Sequence, residues 1–403
     1  MYGNVAAAQE LGEASLKIKK AKRIQELTPY LFAEIDRRKN ALEARGVDII
    51  SLGIGDPDLP TPPHIVEKLR EAARNPVNHR YPDYEGLPAF RQAAASWYRT
   101  RFGVTLDPER EVVSLIGSKE GIAHMPIAFV DPGDVVLCPD PGYPVYAVGA
   151  GFCGATVYRM PLRKENRFLP DLKAIPKEVA RQASLMWLCY PNNPTSAVTT
   201  KEFFREAIDF AARSDIILCH DAAYSEIYFD GEKPPSFLEV DGARDVGIEF
   251  HSLSKTYNMT GWRVGFAVGN AELVAGLGKV KTNIDSGVFQ AVQEAAVAAL
   301  SGDQGCVEES RRILQQRRDL ALQALDKVGL TAVKPRATFY VWVETPKGYG
   351  AADFATRVLE ETGVVVTPGT GFGPSGEGYV RLSLTVNGDR LTEALQRIQR
   401  MSL

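Results

Sequence analysis

Seven short apolar segments, separated by helical patterns, constrain the fold of this 403-residue chain more than any other feature. Most of them are apolar at consecutive positions rather than at alternating ones. That pattern is typical of strands that helices bury on both faces, as in a largely parallel sheet. The segments are residues 112–116, 135–139, 155–160, 184–190, 216–220, 247–253 and 264–269. The sequence therefore predicts an α/β/α sandwich around a mostly parallel seven-stranded sheet.

The two ends of the chain differ from this middle part. A helical pattern near the start is followed by a proline-rich stretch, in which the prolines exclude a long helix. The tail mixes strand-like segments with helical ones. The strand-like segments are 338–344, 364–369 and 379–386. We expect a large domain over residues 51–295 and a smaller α+β domain over 296–403. Residues 1–50 are expected to form an N-terminal arm and part of the smaller domain. The boundary is expected inside one long helix near 291–325.

The composition limits the classes of function. Lys and Arg number 47 against 50 Asp and Glu, a net charge of −3, so nothing electrostatic favours a nucleic acid or an anionic membrane as partner. The five cysteines form no CxxC pair, which favours reduced thiols. No apolar run approaches the ~20 residues of a membrane span, and the start of the chain lacks a signal-peptide pattern. We expect a cytoplasmic protein that binds small molecules or another protein.

Lys255 lies just after the sixth apolar segment, in a run rich in hydroxyl groups, with Arg263 eight residues later. One alternative is a solvated surface lysine. Another is the Ser-x-x-Lys string of serine acyl-enzymes, from Ser252 to Lys255, but the sequence has neither the SDN nor the KTG element that those enzymes need. A third is a lysine that condenses with a carbonyl cofactor, because desolvation near other cations lowers the pKa of an amine. The nearby hydroxyls and arginine would suit a docked phosphate.

Four other segments at strand ends supply what pyridoxal 5'-phosphate (PLP) would need. Asp221 could keep a ring nitrogen protonated, and Tyr224 could donate to a ring hydroxyl. Asn193, in a rigid Asn-Pro turn, could direct an amide at a ligand oxygen. The segment 116–124 places Gly-Ser-Lys at a helix start, where free N–H groups bind phosphate, and Tyr143 could stack on a flat ring. Each segment alone also suits a plain structural role, as a helix cap, a turn, a loop or packing.

The order of these signals is more specific than any one of them. A phosphate loop, a stacking tyrosine, an NNP turn, an HDAAY segment and an SLSK segment follow one another at successive strand ends. In this order the chain resembles the fold type I, class I/II family of PLP-dependent aminotransferases over nearly its whole length. The resemblance implies PLP as cofactor, transamination between an amino acid and a 2-oxo acid, and a homodimer with shared active sites.

The resemblance also implies roles for individual residues. Lys255 is expected to form a Schiff base with PLP and to act as general acid and base, while Asp221 pairs with the pyridinium nitrogen. The other expected contacts are Tyr224 and Asn193 with the ring oxygen, Tyr143 with the ring face, Ser118, Lys119, Ser252 and Arg263 with the phosphate, Tyr81 with the phosphate of the neighbouring subunit, and Arg381 and Gly55 with the substrate α-carboxylate.

Three positions near the predicted site need separate comment. Ser196 stands where the family usually has glycine, which leaves the backbone of the turn after Asn193 open. His220 either orients the adjacent Asp221 or packs in the core. The five histidines lack ligand spacing, so no metal is expected.

Four segments outside the cofactor residues resemble the LL-diaminopimelate aminotransferases. They are residues 29–39, 81–91, 117–124 and 281–293. These enzymes interconvert LL-diaminopimelate and 2-oxoglutarate with tetrahydrodipicolinate and glutamate, in lysine and peptidoglycan precursor synthesis. The distal ammonium and carboxylate of such a substrate need an acid and hydrogen-bond donors.

Candidates for this distal recognition come from the same segments. Glu85, reached from the partner subunit, is the candidate acid, with a solvated loop carboxylate as the alternative. Tyr30 and Lys119 are candidate donors near the α and distal ends of the substrate, and Asn193, from the Asn-Pro turn, is a further candidate substrate contact. Asn283 and Ser286 are further candidates from the facing subunit.

Other functions stay open on the sequence alone. An aminotransferase for aspartate, alanine, methionine or an aromatic amino acid would share the cofactor residues and differ in side-chain recognition. A PLP-dependent lyase or ring-forming synthase would eliminate a group instead of transferring one. A regulatory module is disfavoured, because Lys255 is intact and no DNA-binding segment is expected before the fold.

Overall fold

The computed structural model describes residues 18–25, 27 and 32–401. The helices within this part are α1 (Lys22–Gln25), α2 (Phe32–Glu43), α3 (Pro63–Ala72), α4 (Pro88–Phe102), α5 (Ser118–Phe129), α6 (Val145–Phe152), α7 (Lys177–Gln182), α8 (Lys201–Ser214), α9 (Ala243–Val246), α10 (Leu253–Thr256), α11 (Ala271–Ile284), α12 (Gln290–Ser301), α13 (Gly305–Asp326), α14 (Ala351–Thr362) and α15 (Gly388–Ile398). The strands are β1 (Ile50–Ser51), β2 (Val112–Leu115), β3 (Val135–Asp140), β4 (Thr156–Pro161), β5 (Ala183–Cys189), β6 (Ile217–Asp221), β7 (Gly247–Ser252), β8 (Gly265–Gly269), β9 (Tyr340–Glu344), β10 (Val364–Val365), β11 (Thr367–Pro368) and β12 (Tyr379–Ser383).

All seven predicted segments become strands of one sheet, in the order β2-β8-β7-β6-β5-β3-β4. The strand β8 runs antiparallel to both of its neighbours, and the remaining pairings are parallel. Every residue of β2, β3, β7 and β8 is buried, which explains why these segments are apolar at consecutive positions. The edge strand β4 is largely uncovered.

Helices cover both faces of this sheet. One hydrophobic cluster contains side chains of α5, α6 and α11, and another contains side chains of α4, α8 and α12. The predicted α/β/α sandwich with a mostly parallel seven-stranded sheet is therefore confirmed.

The tail forms a smaller unit with its own core. The strands β11, β12 and β9 make an antiparallel sheet, which α13, α14 and α15 help to cover. The strand β1 pairs in parallel with β10, so the chain near residue 50 joins this unit. The domain boundaries after residues 50 and 295 stay predictions.

The expected long helix near residues 291–325 is instead two helices, α12 and α13. Gly302 ends α12 in an extended conformation. The carboxylate of Asp303 then accepts a hydrogen bond from the amide of Gly305, at the start of α13 (3.1 Å). A glycine followed by an aspartate that bonds the next helix start is a helix break, and the sequence interpretation overlooked it.

The fold places the carboxyl ends of β3, β5, β6 and β7 at one edge of the sheet, where open α/β sheets bind their ligands. Across the part of the chain described, no helix is at once long and apolar enough to cross a bilayer.

Candidate active site

A cavity of ≈ 420 Å³ opens at this edge of the sheet. Its walls come from both the seven-stranded sheet and the smaller unit. Most of the predicted site residues line it. They are Gly55, Ser118, Lys119, Tyr143, Asn193, Asp221, Tyr224, Ser252, Lys255, Arg263 and Arg381. The fold therefore brings together residues that are far apart in the chain.

Lys255 follows β7 in the short helix α10 and is partly buried in the cavity wall. Its Nζ donates a hydrogen bond to the carbonyl oxygen of Gly55 (3.2 Å). Burial, together with the nearby charges of Arg263 and Arg381, lowers the pKa of Lys255 to about 8. The charges of Asp56 and Asp221 oppose this shift. An amine with this pKa loses its proton near neutral pH, as a nucleophile or a general base must.

Asp221 ends β6 as a buried carboxylate. Its Oδ2 accepts a hydrogen bond from the hydroxyl of Tyr146 (2.7 Å), and its Oδ1 accepts one from the amide of Ala223 (3.2 Å). Burial raises the pKa of the Asp221 carboxyl, and these two hydrogen bonds offset part of the rise. A cation beside this carboxylate would be stabilised more strongly than in water, because the surroundings screen charge poorly.

The start of α5 is suited to hold an anion. The amides of Ser118 and Lys119 are in the first turn, where a helix has no acceptor of its own for them. Gly117 has a φ of 72°, and a Cβ at this position would lie 2.1 Å from a guanidinium nitrogen of Arg263. The lack of a side chain at Gly117 therefore lets the Arg263 guanidinium lie close to the backbone there. The same guanidinium donates a hydrogen bond to the carbonyl oxygen of Thr260 (2.8 Å).

Arg381, on β12, is buried opposite these groups. Its guanidinium donates to Asn193 Oδ1 (2.7 Å) and to the carbonyl oxygen of Gly53 (2.8 Å). It lies between two aromatic rings, 4.0 Å from the centroid of Tyr340 and 4.5 Å from that of Phe372. Its Nε has no hydrogen-bond partner among the described residues. A planar, buried guanidinium with a free donor is suited to a carboxylate.

Gly55 and Tyr224 complete this wall. A Cβ on Gly55 would lie 2.0 Å from the hydroxyl oxygen of Tyr340, so no side chain fits there. The hydroxyl oxygens of Tyr224 and Tyr340 are 3.1 Å apart. Tyr143 is half-buried, with its ring at an edge-to-face distance of 5.7 Å from Tyr146.

The chemistry of this donor set fits PLP. Lys255 offers an amine for the carbonyl carbon, and Asp221 offers a buried carboxylate for a protonated ring nitrogen. The start of α5, with Arg263, offers N–H groups for a phosphate, and the half-buried ring of Tyr143 offers an apolar face. One cavity thus contains a partner for each functional group of the cofactor.

Four predicted residues lie away from the cavity, and one is outside the described residues. Asn283 and Ser286 are exposed and do not line the cavity. Tyr81 is 86% exposed. Glu85 is exposed and lines a separate cavity together with Arg110 and Lys279. Tyr30 is not among the described residues. Within one chain, therefore, the structure does not bring Tyr81 or Glu85 to Lys255.

His220 does not orient Asp221. Its Nδ1 lies 2.8 Å from Glu249 Oε2, and its Nε2 accepts a hydrogen bond from the amide of Tyr190 (3.3 Å). Successive strand residues face opposite sides of a sheet, so His220 and Asp221 point apart. Burial alone would raise the pKa of Glu249, but hydrogen bonds from His220 and His251 outweigh it and lower that pKa. Of the two roles expected for His220, packing in the core is therefore the one that the structure shows.

Glu120, His124 and Asp285 form one further cluster, with ligand atoms within 4.8 Å of one another. The buried ammonium of Lys281 lies 3.2 Å from Glu120 and 3.0 Å from Asp285. A protein cation thus already pairs with both carboxylates.

Sequence reasoning missed Tyr146, Tyr340, Phe372 and Lys39, of which the last three line the cavity. A signal existed for Tyr146, since it stands three positions after Tyr143, one helical turn away. The other three lie on remote segments of the chain, where nothing local distinguishes them from core or surface residues.

Comparison with known proteins gives a consistent result. A family model described as aminotransferase class I and II matches residues 47–398. A protein of Desulforudis audaxviator named LL-diaminopimelate aminotransferase is 60% identical over 94% of this chain and 97% of its own length. One of the same name from Syntrophobacter fumaroxidans is 57% identical over 95% and 99%. A substrate-bound BacF structure from Bacillus subtilis superposes with a TM-score of 0.92, at 41% identity, over 96% of this chain and 98% of that one.

Proposed function

The chain belongs to the class I and II aminotransferase family and is a PLP-dependent aminotransferase, and on that premise we propose that it transfers an amino group between LL-diaminopimelate and 2-oxoglutarate. The products are tetrahydrodipicolinate and glutamate. The observation that carries the chemistry is the partly buried Lys255, with a pKa lowered to about 8, in one cavity with Asp221 and Arg381. The substrate is supported by the names of the two bacterial relatives, which match almost the whole chain.

Bound PLP supplies a carbonyl carbon that captures an amine and a ring that withdraws electrons from the substrate α-carbon. The protein must then move one proton. Lys255 Nζ would take the proton from the substrate α-carbon and return it to the former carbonyl carbon of the cofactor, because a pKa of about 8 lets the amine both accept and donate a proton near neutral pH. Asp221, which accepts a hydrogen bond from the Tyr146 hydroxyl, would keep a proton on the ring nitrogen.

Arg381 fixes the substrate. Its hydrogen bonds to Asn193 and Gly53 and its two aromatic neighbours hold the guanidinium in place. Both the amino donor and the 2-oxo acid carry a carboxylate at the reacting end, so one arginine serves both halves of the reaction. A buried position strengthens this pairing, because water competes poorly there.

Recognition of the far end of diaminopimelate requires a second copy of the chain. Tyr81 and Glu85 are exposed and lie outside the cavity of their own subunit. A symmetric homodimer would place them at the active site of the partner subunit. Exposed apolar side chains surround this loop, and a partner would cover them. They are Val77, Tyr84, Ile284 and Phe289. Within the subunit, Lys119 is the proposed donor to the distal carboxylate, and Tyr30 is a further proposed substrate contact.

We further propose a cytoplasmic location. All five cysteines are free, and three of them are buried in the core, which suits a reducing compartment.

The decisive experiment mixes the purified holoenzyme with LL-diaminopimelate and 2-oxoglutarate and measures glutamate. Parallel reactions contain meso-diaminopimelate, aspartate or alanine as donor. We expect glutamate in proportion to the LL-diaminopimelate consumed, and much less from the other donors. Faster transfer from aspartate or alanine would refute the proposed donor while leaving the aminotransferase chemistry in place.

A further inference from the structure

Ser196 lies in the turn after β5, three residues beyond Asn193. Its φ is 61°, in the left-handed region, where residues with a Cβ are strained and glycine is favoured. Its side chain is buried. A serine in this conformation is less favourable for the backbone than a glycine would be, so its hydroxyl is the part that requires an explanation.

The hydroxyl of Ser196 is fully engaged. It donates to the carbonyl oxygen of Tyr340 (2.7 Å) and lies 2.9 Å from the hydroxyl oxygen of Thr338. Because the single proton of Ser196 goes to Tyr340, Thr338 is the donor in the second contact. Thr338 Oγ1 in turn accepts a hydrogen bond from the amide of Tyr340 (3.0 Å). We call the hydroxyl of Ser196, the hydroxyl of Thr338 and the backbone of Tyr340, joined by these hydrogen bonds, the Ser196 bridge.

The partner side of the bridge is strained in the same way. Thr338 has a φ of 65° and is fully buried. A β-branched residue at positive φ is a genuine outlier, and such residues persist where the surroundings hold them. The bridge therefore joins two strained positions, one beside the seven-stranded sheet and one at the start of β9 in the smaller unit.

Both ends of the bridge lead to Arg381. On one side, Asn193 in the turn of Ser196 accepts a hydrogen bond from the guanidinium (2.7 Å). On the other side, the carbonyl oxygen of Tyr340 accepts the hydrogen bond from Ser196, and the centroid of the Tyr340 ring lies 4.0 Å from the guanidinium carbon of Arg381. The separation between the turn and β9 thus sets the position of the arginine.

We propose that Ser196 is a positioning residue for the substrate carboxylate: the Ser196 bridge fixes Asn193 relative to Tyr340 and so orients Arg381. This proposal rests on the proposed role of Arg381. A glycine at this position would relieve the backbone strain but has no hydroxyl, so it could not make the bridge. The serine therefore keeps a strained backbone conformation, and its hydroxyl orients the Arg381 guanidinium.

Two variants of Ser196 separate strain from hydrogen bonding. Ser196→Ala keeps a Cβ at positive φ and removes the hydroxyl, whereas Ser196→Gly removes both. The assay is the affinity of the holoenzyme for glutarate, an unreactive dicarboxylate, followed by the absorbance of the bound cofactor. We expect both variants to bind glutarate roughly three- to tenfold more weakly, the range for one buried neutral hydrogen bond. The KM values for both substrates should rise by a similar factor, with a smaller change in kcat.

Matched variants test the specificity of the effect. Thr338→Val removes the second hydroxyl and should weaken glutarate binding, whereas Thr338→Ser keeps the hydroxyl and should preserve it. Ser184→Ala is the control, because it removes another serine hydrogen bond near β5, to Asp134 (2.6 Å), away from the cavity. Its glutarate affinity should equal that of the parent. Thermal unfolding of every variant shows which of them are folded at the assay temperature.

The results distinguish the alternatives. Parental glutarate affinity in Ser196→Gly, with weaker binding in Ser196→Ala alone, would assign the effect to backbone strain and overturn the proposal. So would equal affinities in Thr338→Val and Thr338→Ser, or a parent enzyme that does not bind glutarate. If the parent binds glutarate but makes no glutamate from LL-diaminopimelate, only the proposed donor fails, because the bridge is judged by glutarate affinity.

Discussion

The hydrogen bond from Tyr146 to Asp221 offers the sharpest test of how the protein keeps a cofactor ring protonated. Tyr146→Phe removes the hydroxyl that donates to Asp221 Oδ2 at 2.7 Å. It leaves the ring in place, stacked 4.9 Å from Trp187. The substitution therefore deletes one charge-assisted hydrogen bond with little change in packing.

The size of the effect follows from the environment of Asp221. Hydrogen bonds to charged groups contribute about 1.5–3 kcal/mol, and burial already raises the pKa of this carboxyl. The amide of Ala223 remains as a donor, so we expect the lower end of that range. A loss of ~1.4 kcal/mol in the state that carries the ring proton corresponds to a fall in kcat of about tenfold.

The assay is kcat with saturating LL-diaminopimelate and 2-oxoglutarate, together with a pH titration of the cofactor absorbance. Tyr190→Phe is the matched control. Tyr190 is also buried, and its hydroxyl donates to the carbonyl oxygen of Phe168 (2.8 Å), outside the cavity. The control should lose stability but keep kcat. An unchanged kcat in Tyr146→Phe, or equal losses in both variants, would show that the bond to Asp221 does not support catalysis.

Three further predictions concern the ionisable residues of the site. Lys255→Ala should abolish transamination and the absorbance of covalently bound cofactor; full turnover would refute the assignment of the lysine. Because the pKa of Lys255 is lowered to about 8, chiefly by burial, the fraction of Lys255 in the free-base form grows as the pH rises through that value. The reaction of the apoenzyme with PLP should therefore accelerate from pH 7 to 9 and then level off. A rate that does not change with pH in stopped-flow measurements would contradict this prediction. Glu85→Gln should lower kcat/KM at least about tenfold more for LL-diaminopimelate than for glutamate, because only the former presents a distal ammonium; equal losses for the two substrates would remove Glu85 from recognition.

Much of the fold was predictable because its signals are local. A strand buried on both faces must be apolar at nearly every position, and the seven segments of the central sheet are visible for that reason. The convergence of the predicted cofactor residues on one cavity was predictable because parallel strands bring their carboxyl ends to one edge, and family motifs stand at those ends. The helix break at Gly302 was missed because helical periodicity resumes directly after it.

The sequence by itself determined the sandwich, its cofactor chemistry and the positions of Lys255 and Asp221, since strand burial and strand-end motifs depend on neighbours in the chain. Tertiary structure alone decided that Arg381 lies between Tyr340 and Phe372. It also decided that the hydroxyl of Ser196 reaches across 144 positions to the carbonyl oxygen of Tyr340. Such contacts depend on how the smaller unit packs against the seven-stranded sheet, and no local pattern of residues records that geometry.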